Sequence, residues 1–475
     1  MERGVYGWSG LTGRRETGDG GGREPMLDAI SDYHDLLSND QLAADSHAML
    51  NDQLGRHGLV FGGRALCTVL RPRLTTHERH AWLEQRVRLL MRVFAKTYAA
   101  AVASPEFRQQ FMLADWEEVL VHDDPGIRNP SPTSRLDTFI IDADGEMKLT
   151  EYNAETPAGA AYGDALADAF IDLPIMRAFA RRYEITPIPS RQGVLHVLLA
   201  TYEEWLGRRD LPRIAIVDWP DVPTVTEFEM YRDYFHSRGI ECVIADPREA
   251  QYRNGRLSFA DGGPVDLIYK RVLIHELVEQ CGIDSPMVRA VRDRAVCMAN
   301  GFRCKMLHKK ASLAVLSDER NAHLFTGDER AAIDAHVPWT RTVAERKTRF
   351  DGREVDLVPF VHAHRERLVL KPNDDYGGAG ITLGWTVDDA AWAEAIARAL
   401  SAPHIVQERV RIPYEPYPSL VDGTVQIVDR MLDTAPFVSY GEYMEGYLTR
   451  LSTAALLNVT AGGGSTVPTF LVEPR

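Results

Sequence analysis

The stretch Leu368-Val369-Leu370-Lys371-Pro372-Asn373-Asp374-Asp375-Tyr376-Gly377-Gly378-Ala379-Gly380-Ile381-Thr382 decides the fold. An apolar run of strand type delivers a lysine, two acids follow, and a glycine-rich turn closes the segment. A lysine at a strand tip is a point charge for phosphate oxygens. Glycines let backbone N–H groups curl around those oxygens, and an acid just before them suits Mg²⁺, which prefers carboxylate and phosphate oxygens. The plain alternative is a hairpin with a glycine-rich turn and a solvated lysine. A Walker loop is excluded, because its lysine follows the glycines and is followed by Ser or Thr. No G-x-G-x-x-G opens a helix, which excludes a dinucleotide fingerprint.

Upstream, Leu136 to Ile141 and Met147 to Tyr152 are predicted to form a hairpin around Asp142-Ala143-Asp144-Gly145, a strong turn signal between apolar runs. An EF-hand is rejected there, since its remaining ligands are missing. Residues two apart on a strand face one side, so Arg135 and Asp137 point together. Glu151 and Asn153 do the same on the returning strand. Paired around the turn, these four form a hard-cation site beside a positive clamp; a solvated hairpin end with a weak ion pair is the alternative. The following segment, Ala154 to Tyr162, is small and flexible in composition, like a loop facing substrate.

Farther out, Thr75 with Glu78 reads as a capping box opening a long helix, striped by Trp82, Val87, Leu90, Met91, Phe94 and Tyr98. Leu27, Ile30, Leu36 and Leu37 mark an earlier helical face. Between about 190 and 300 the texture is βαβ: strands at 214–217, 242–245 and 265–269, with a helix from Glu227 to Arg238. Such sheets hold ligands beyond their C-terminal strand ends, where Asp218, Trp219 and Arg271 fall. Arg271 is a candidate anchor for an anionic substrate or else a surface arginine. His275-Glu276 lacks the second His of a zincin motif. Lys309 and Lys310 precede an apolar helix start at Ala311. Thr386 with Asp389 is expected to cap a helix to Ser401, and His404 to Val410 forms a strand whose exit could bind an adenine edge. Arg450 and Gly462, Gly463 and Gly464 suggest a flap over a ligand, with a surface loop as the alternative.

Composition sets the class. The 475 residues, 45% hydrophobic, are enough for two or three domains with a substantial core. A net charge of −14 argues against nucleic acid and against an anionic membrane as partners. Five scattered cysteines without a C-x-x-C pair indicate neither disulfide framework nor thiolate zinc site. Together with a Gly- and Arg-rich start lacking an apolar h-region, this predicts a cytoplasmic protein.

In their order, these motifs resemble the circularly permuted branch of the ATP-grasp superfamily, which holds eukaryotic-type glutathione synthetase and the synthetase domain of glutathionylspermidine synthetase. The resemblance covers about Met26 to Arg475. It implies an α/β (α+β) ATP-grasp fold with an inserted βαβ substrate or lid domain: a disordered leader over 1–24, ATP-grasp parts at 25–188 and 305–475, and the inserted open sheet at 189–304. It implies Arg135 as catalytic residue and Asp137, Glu151, Asn153 and Asp375 as ligands of two Mg²⁺ ions. ATP would be bound by Lys309 or Lys310, Lys371, Gly377, Gly378, Gly380, Gln407, Glu408 and Val410, and substrate by Arg271, Arg450 and Gly462 to Gly464. The sequence departs from the family in its Gly-Gly-Ala-Gly loop and in Asp375, where glutathione synthetase would have Glu. No amidase-like part precedes the synthetase region, so a bifunctional amidase is not expected. No motif in 190–300 matches glutathione or polyamine recognition. The expected activity is ATP-dependent ligation of a small-molecule carboxylate to an amine through an acylphosphate, in a chain that can be an oligomer. A non-catalytic nucleotide-binding module and a phosphotransferase that stops at a phosphorylated product are the rivals.

Overall fold

The computed structural model describes residues 25–61, 63–141, 145–375, 379–453 and 464–475. The expected leader at 1–24, the turn residues 142–144, Gly377, Gly378, Gly462 and Gly463 lie outside them. The described chain is mixed α/β. Among the described residues no helix is long and apolar enough to cross a membrane.

An antiparallel sheet forms the centre. Its strands run Ser465–Val467, Tyr443–Ser452, Thr424–Ser439, Thr133–Ile141 and Glu146–Asn153, with Tyr414–Val421 paired to the first half of Thr424–Ser439. The predicted hairpin is its edge. Arg135 pairs with Asn153, Leu136 with Tyr152 and Asp137 with Glu151. A register shift after Asp137 sets it opposite Glu151 and Thr138 opposite Leu149, which leaves Thr150 as the extra residue. Alternation explains the two faces. Leu136, Ile140, Met147, Leu149 and Tyr152 pack against Leu83, Val87, Leu90, Met91 and Phe94 of the helix His77–Ala103, with the Phe94 and Tyr152 rings 4.3 Å apart. The side chains between them, Arg135, Asp137, Glu151 and Asn153, are thereby turned to the opposite face.

A second antiparallel sheet runs Thr340–Thr342, His404–Glu408, Leu368–Pro372, Thr382–Leu383. Leu368, Leu370 and Val406 pack beneath the helices Leu357–Ala363 and Asp389–Ser401. The other face carries Ile405, which meets Ala311 and Ala314 of the helix Ala311–Ser317, and with it Lys371, its register partner. A parallel sheet, Cys297–Ala299, Leu267–Lys270, Ile214–Val217, Cys242–Ala245, is packed on both faces.

Several local expectations are corrected. Thr76, not Thr75, caps the long helix, accepting from Arg79 N. Asp388, not Thr386, caps Asp389–Ser401, and Thr386 lies in a 3₁₀ turn; in both cases several adjacent residues could cap and the register of burial selects one. The strand expected at 265–269 is Leu267–Lys270, because Pro264–Val265 pairs with Arg256–Ser258 instead. The fourth parallel strand, Cys297–Ala299, is too short to signal itself in sequence. On the first helix, Pro25–Leu36, Met26, Ala29, Ile30 and Tyr33 form the buried face, continued by Leu37 just beyond it, and Leu27 is exposed.

Candidate functional site

The two antiparallel sheets meet where their charged faces converge. Lys371 Nζ donates to Gln407 Oε1 at 2.7 Å and to the carbonyl of Thr150, the bulge residue, at 3.4 Å. Lys310 stands at the N-cap of Ala311–Ser317 and bridges the sheets, donating to Glu151 Oε1 at 2.9 Å and to the Asp375 carbonyl at 2.6 Å. The strand-tip lysine and the hairpin acids, distant in sequence, thus share one locus.

Asp137 is held by two guanidiniums. Arg135 donates through Nε at 2.7 Å and Nη2 at 3.2 Å, and Arg450 through Nη2 at 2.7 Å. Arg450 also grips Asp433 through Nε at 2.9 Å. Burial alone would raise the Asp137 pKa, but Arg135 and Arg450 outweigh it and hold the carboxyl well below the usual range. Burial likewise works against Glu151, and Lys310 overcomes both that and the repulsion from Asp137 to keep it low. Lys371 goes the other way: burial, helped by Lys310 and only partly offset by Glu151, pushes its ammonium down to about 8.

The donor set fits a hard divalent cation. Asp137 and Glu151 are held below the usual carboxylate range, opposed on one rung and mutually repelling, and Asn153 follows on the same face, where its amide oxygen is the atom suited to a hard cation. Asp375 is exposed, and the neighbouring Asp374 is the acid tied into the interior. A second group, Glu155, His308 and Asp374, offers ligand atoms within 4.8 Å of one another. That group already encloses a cation of the chain: Lys305 Nζ lies 3.0 Å from Glu155 Oε2 and 2.7 Å from Asp374 Oδ1.

The remaining expected residues fall as follows. Lys309 is buried between Glu117 at 2.8 Å and Asp374 at 2.9 Å, so two acids already neutralise it. Gln407 is buried, its amide divided between Lys371 and Thr340 Oγ1. The strand ends at Glu408, whose side chain meets Arg367, and Val410 follows half-buried. Gly380 takes a left-handed φ of 67° beside Asp375. Gly464 is half-buried at the start of the last strands. Arg271 is 5% exposed, which overturns the surface alternative. It donates to Pro157 O at 2.5 Å and lies 3.9 Å from Glu227. Glu227 accepts from Gly159 N and Ala161 N, so the loop after the hairpin is pinned from the parallel sheet rather than left flexible. A cavity of about 730 Å³ opens beside Lys309, Asp374, Asp375, Gly380 and His404; Arg135, Asp137, Glu151 and Lys371 do not line it.

Sequence reading missed Lys305, Glu155, Asp374, Asp433, Glu117 and Asn300. Two buried lysines and three acids close in space are the signal, but they are dispersed between positions 117 and 374 and no spacing rule joins them.

No protein-family profile matches the chain, and no curated protein matches it either. A solved structure similar to it is that of a glutathione synthetase-like effector from Globodera pallida in its apo form. The two share 12% identity at a TM-score of 0.59, with 91% of this chain and 98% of that one covered. At that identity the likeness is one of fold. The chain has a glutathione synthetase-like fold.

Proposed function

We propose that the chain is a circularly permuted ATP-grasp enzyme that joins a small-molecule carboxylate to an amine at the expense of ATP. In this reading 25–188 and 305–475 form the nucleotide-binding parts, and 189–304 is an inserted unit. The observation that carries the reading is Lys310, which ties Glu151 of the hairpin to the backbone of Asp375 at the glycine loop. A lysine between phosphate loop and metal acids is what a triphosphate requires. Lys309, already paired with two acids, is the weaker candidate.

The substrate carboxylate oxygen attacks the γ-phosphorus and ADP leaves, giving an acylphosphate. The amine nitrogen then attacks the carbonyl carbon, phosphate departs and the nitrogen loses a proton. Catalysis of this kind is positioning and charge neutralisation. Lys310 and Lys371 would hold phosphate oxygens. Arg135 has five N–H donors; three are spent on Asp137 and Ala158 O, and the other two would face the transferring phosphoryl and the tetrahedral oxyanion. Asp137, Glu151, Asn153 and Asp375 would hold Mg²⁺, which would supply positive charge to offset that of the phosphates. The glycine loops would shield the acylphosphate from water. Five free cysteines suit a reducing, cytoplasmic setting.

One feature favours a second reading, a non-catalytic nucleotide-binding module: the double guanidinium hold on Asp137 competes with a cation for that carboxylate. The test is ADP release from ATP and Mg²⁺ with pooled carboxylic acids and amines, followed by hydroxylamine trapping. Sustained release that needs both pools is expected, with hydroxylamine able to replace the amine pool and yielding a hydroxamate. ATP binding without turnover on any pool would select the module instead.

A further inference from the structure

Asn300 follows directly on the parallel strand Cys297–Ala299 and takes a left-handed backbone, φ 53°. Non-glycine residues adopt that region at a cost, asparagine least among them. Its side chain is 1% exposed and fully engaged. Oδ1 accepts from Thr133 N at 3.1 Å and Thr133 Oγ1 at 3.2 Å. Nδ2 faces three carbonyls, those of Thr133 at 2.7 Å and of Ala154 and Glu155 at 2.9 Å each.

The register makes sense of this set. Arg135 pairs with Asn153, so two positions outward the same register would set Thr133 against Glu155. That rung is not formed by backbone. The Asn300 amide stands in its place, supplying both an acceptor and a donor to Thr133 and reaching the opposite strand with the same nitrogen. Two residues inward lie Arg135 and Asn153, and four inward Asp137 and Glu151. The strained backbone aims the amide, and the parallel sheet behind it supplies rigidity.

We infer that Asn300 is a positioning residue: its amide is a side-chain rung that sets the spacing of the hairpin's open end, and so of Arg135, Asp137, Glu151 and Asn153 around a metal–nucleotide. The inference rests on the proposed nucleotide site for its functional consequence and on the clamp alone for its structural one. Strain held at a position that makes no contact with the proposed ligand is coherent with this role, since such conformations persist where the surroundings over-determine them.

Asn300→Gly keeps the backbone conformation and deletes the rung. In hydrogen exchange on the full chain, amides of 133–137 and 151–155 are expected to exchange about tenfold or more faster, with 139–141 and 146–149 unchanged. The Mg²⁺ concentration for half-maximal binding of the non-hydrolysable analogue AMP-PNP is expected to rise about tenfold. Val288→Ala, a core truncation in the parallel-sheet unit, is the stability control and is expected to move neither readout. Thr133→Ala removes one bond of the clamp and serves if the glycine variant does not fold; it is expected to shift both readouts less, in the same direction. Unchanged exchange at the open end, or equal shifts in the Val288→Ala control, would overturn the inference. Failure of the unaltered chain to bind Mg²⁺–AMP-PNP would remove the nucleotide site instead, and the exchange pattern would still decide whether Asn300 holds the hairpin.

Discussion

Lys310 Nζ stands 2.9 Å from Glu151 Oε1, although 159 residues separate the two. The contact joins a helix start to a hairpin edge, and through the Asp375 carbonyl it reaches the strand that carries Lys371. Its neighbour Lys309 points to a different pair of acids, Glu117 and Asp374. Consecutive lysines therefore do different things: one closes the site, the other neutralises a buried anionic pair.

That division predicts opposite phenotypes. Lys310→Ala is expected to weaken Mg²⁺–ATP binding by about tenfold or more, the worth of one charge-assisted phosphate contact, and to cost less stability than the loss of Lys309, because the acid it leaves behind, Glu151, is 27% exposed where Glu117 is 1%. Lys309→Ala leaves Glu117 and Asp374 with fewer partners in a buried setting and is expected to cost roughly 3–5 kcal/mol of stability. Calorimetric nucleotide titration and denaturant unfolding of both variants separate the two. Equal loss of affinity in both would end the distinction.

Lys371 gives a pH signature. Burial pushes its ammonium down to about 8 from an ordinary 10.5. Between those values the native chain binds fewer protons than the unfolded one, so this side chain's contribution to stability rises with pH across the window. Its burial cost is full below about pH 8. Phosphate binding needs the charged form, so ATP affinity is expected to fall as pH passes about 8 while stability moves the other way. Lys371→Arg, which stays charged, should flatten the affinity profile. Affinity independent of pH in the unaltered chain would remove Lys371 from the phosphate site.

The hairpin and the strand leading to Lys371 were readable because each declares itself locally, through alternation, a turn signal and an apolar run ending in charge. Cross-hairpin pairing then follows from period-two geometry, and the observed register sets Asp137 opposite Glu151. The ion network around Lys305 was not readable. Its acids lie at positions 117, 155 and 374, and each alone resembles a solvated carboxylate. Asp374 and Asp375 were indistinguishable in sequence, since only the exit direction of the strand decides which turns inward. The pinning of the 154–161 loop by Glu227 and Arg271 was hidden behind its small-residue composition.

The two arginines on Asp137 are expected to part ways on substitution. Arg135→Ala should lower kcat by about 10²-fold or more, the scale of one lost oxyanion donor, with ATP still bound. Arg450 bridges two buried carboxylates, and burial already raises Asp433 against it. Arg450→Ala is therefore expected to cost roughly 3–5 kcal/mol. Turnover of each variant, with ATP binding and unfolding measured alongside, discriminates. A stable Arg450→Ala chain would show that Asp433 is protonated when unpaired.

His308 should dominate the acid limb of stability. Burial pushes its imidazole down to about 4 from an ordinary 6.5; Glu155 and Asp374 pull it back, and Lys305 and Lys310 add to the depression. A histidine kept neutral in the native state binds a proton more readily unfolded, so stability rises with pH between about 4 and 6.5 and is lost on acidification through that window. The full depression corresponds to roughly 3 kcal/mol. Glu155, whose carboxyl Lys305 and Lys270 hold below the usual range against the effect of burial, contributes only where an ordinary carboxyl would protonate, lower down. The two windows are therefore resolvable. His308→Gln keeps a polar side chain of similar reach and abolishes the titration. From about pH 7 to 4 the unfolding free energy of the unaltered protein should fall relative to that of the variant by roughly 3 kcal/mol. Parallel curves would show that the imidazole titrates alike in the native and unfolded states, with Glu155 and Asp374 offsetting burial in full.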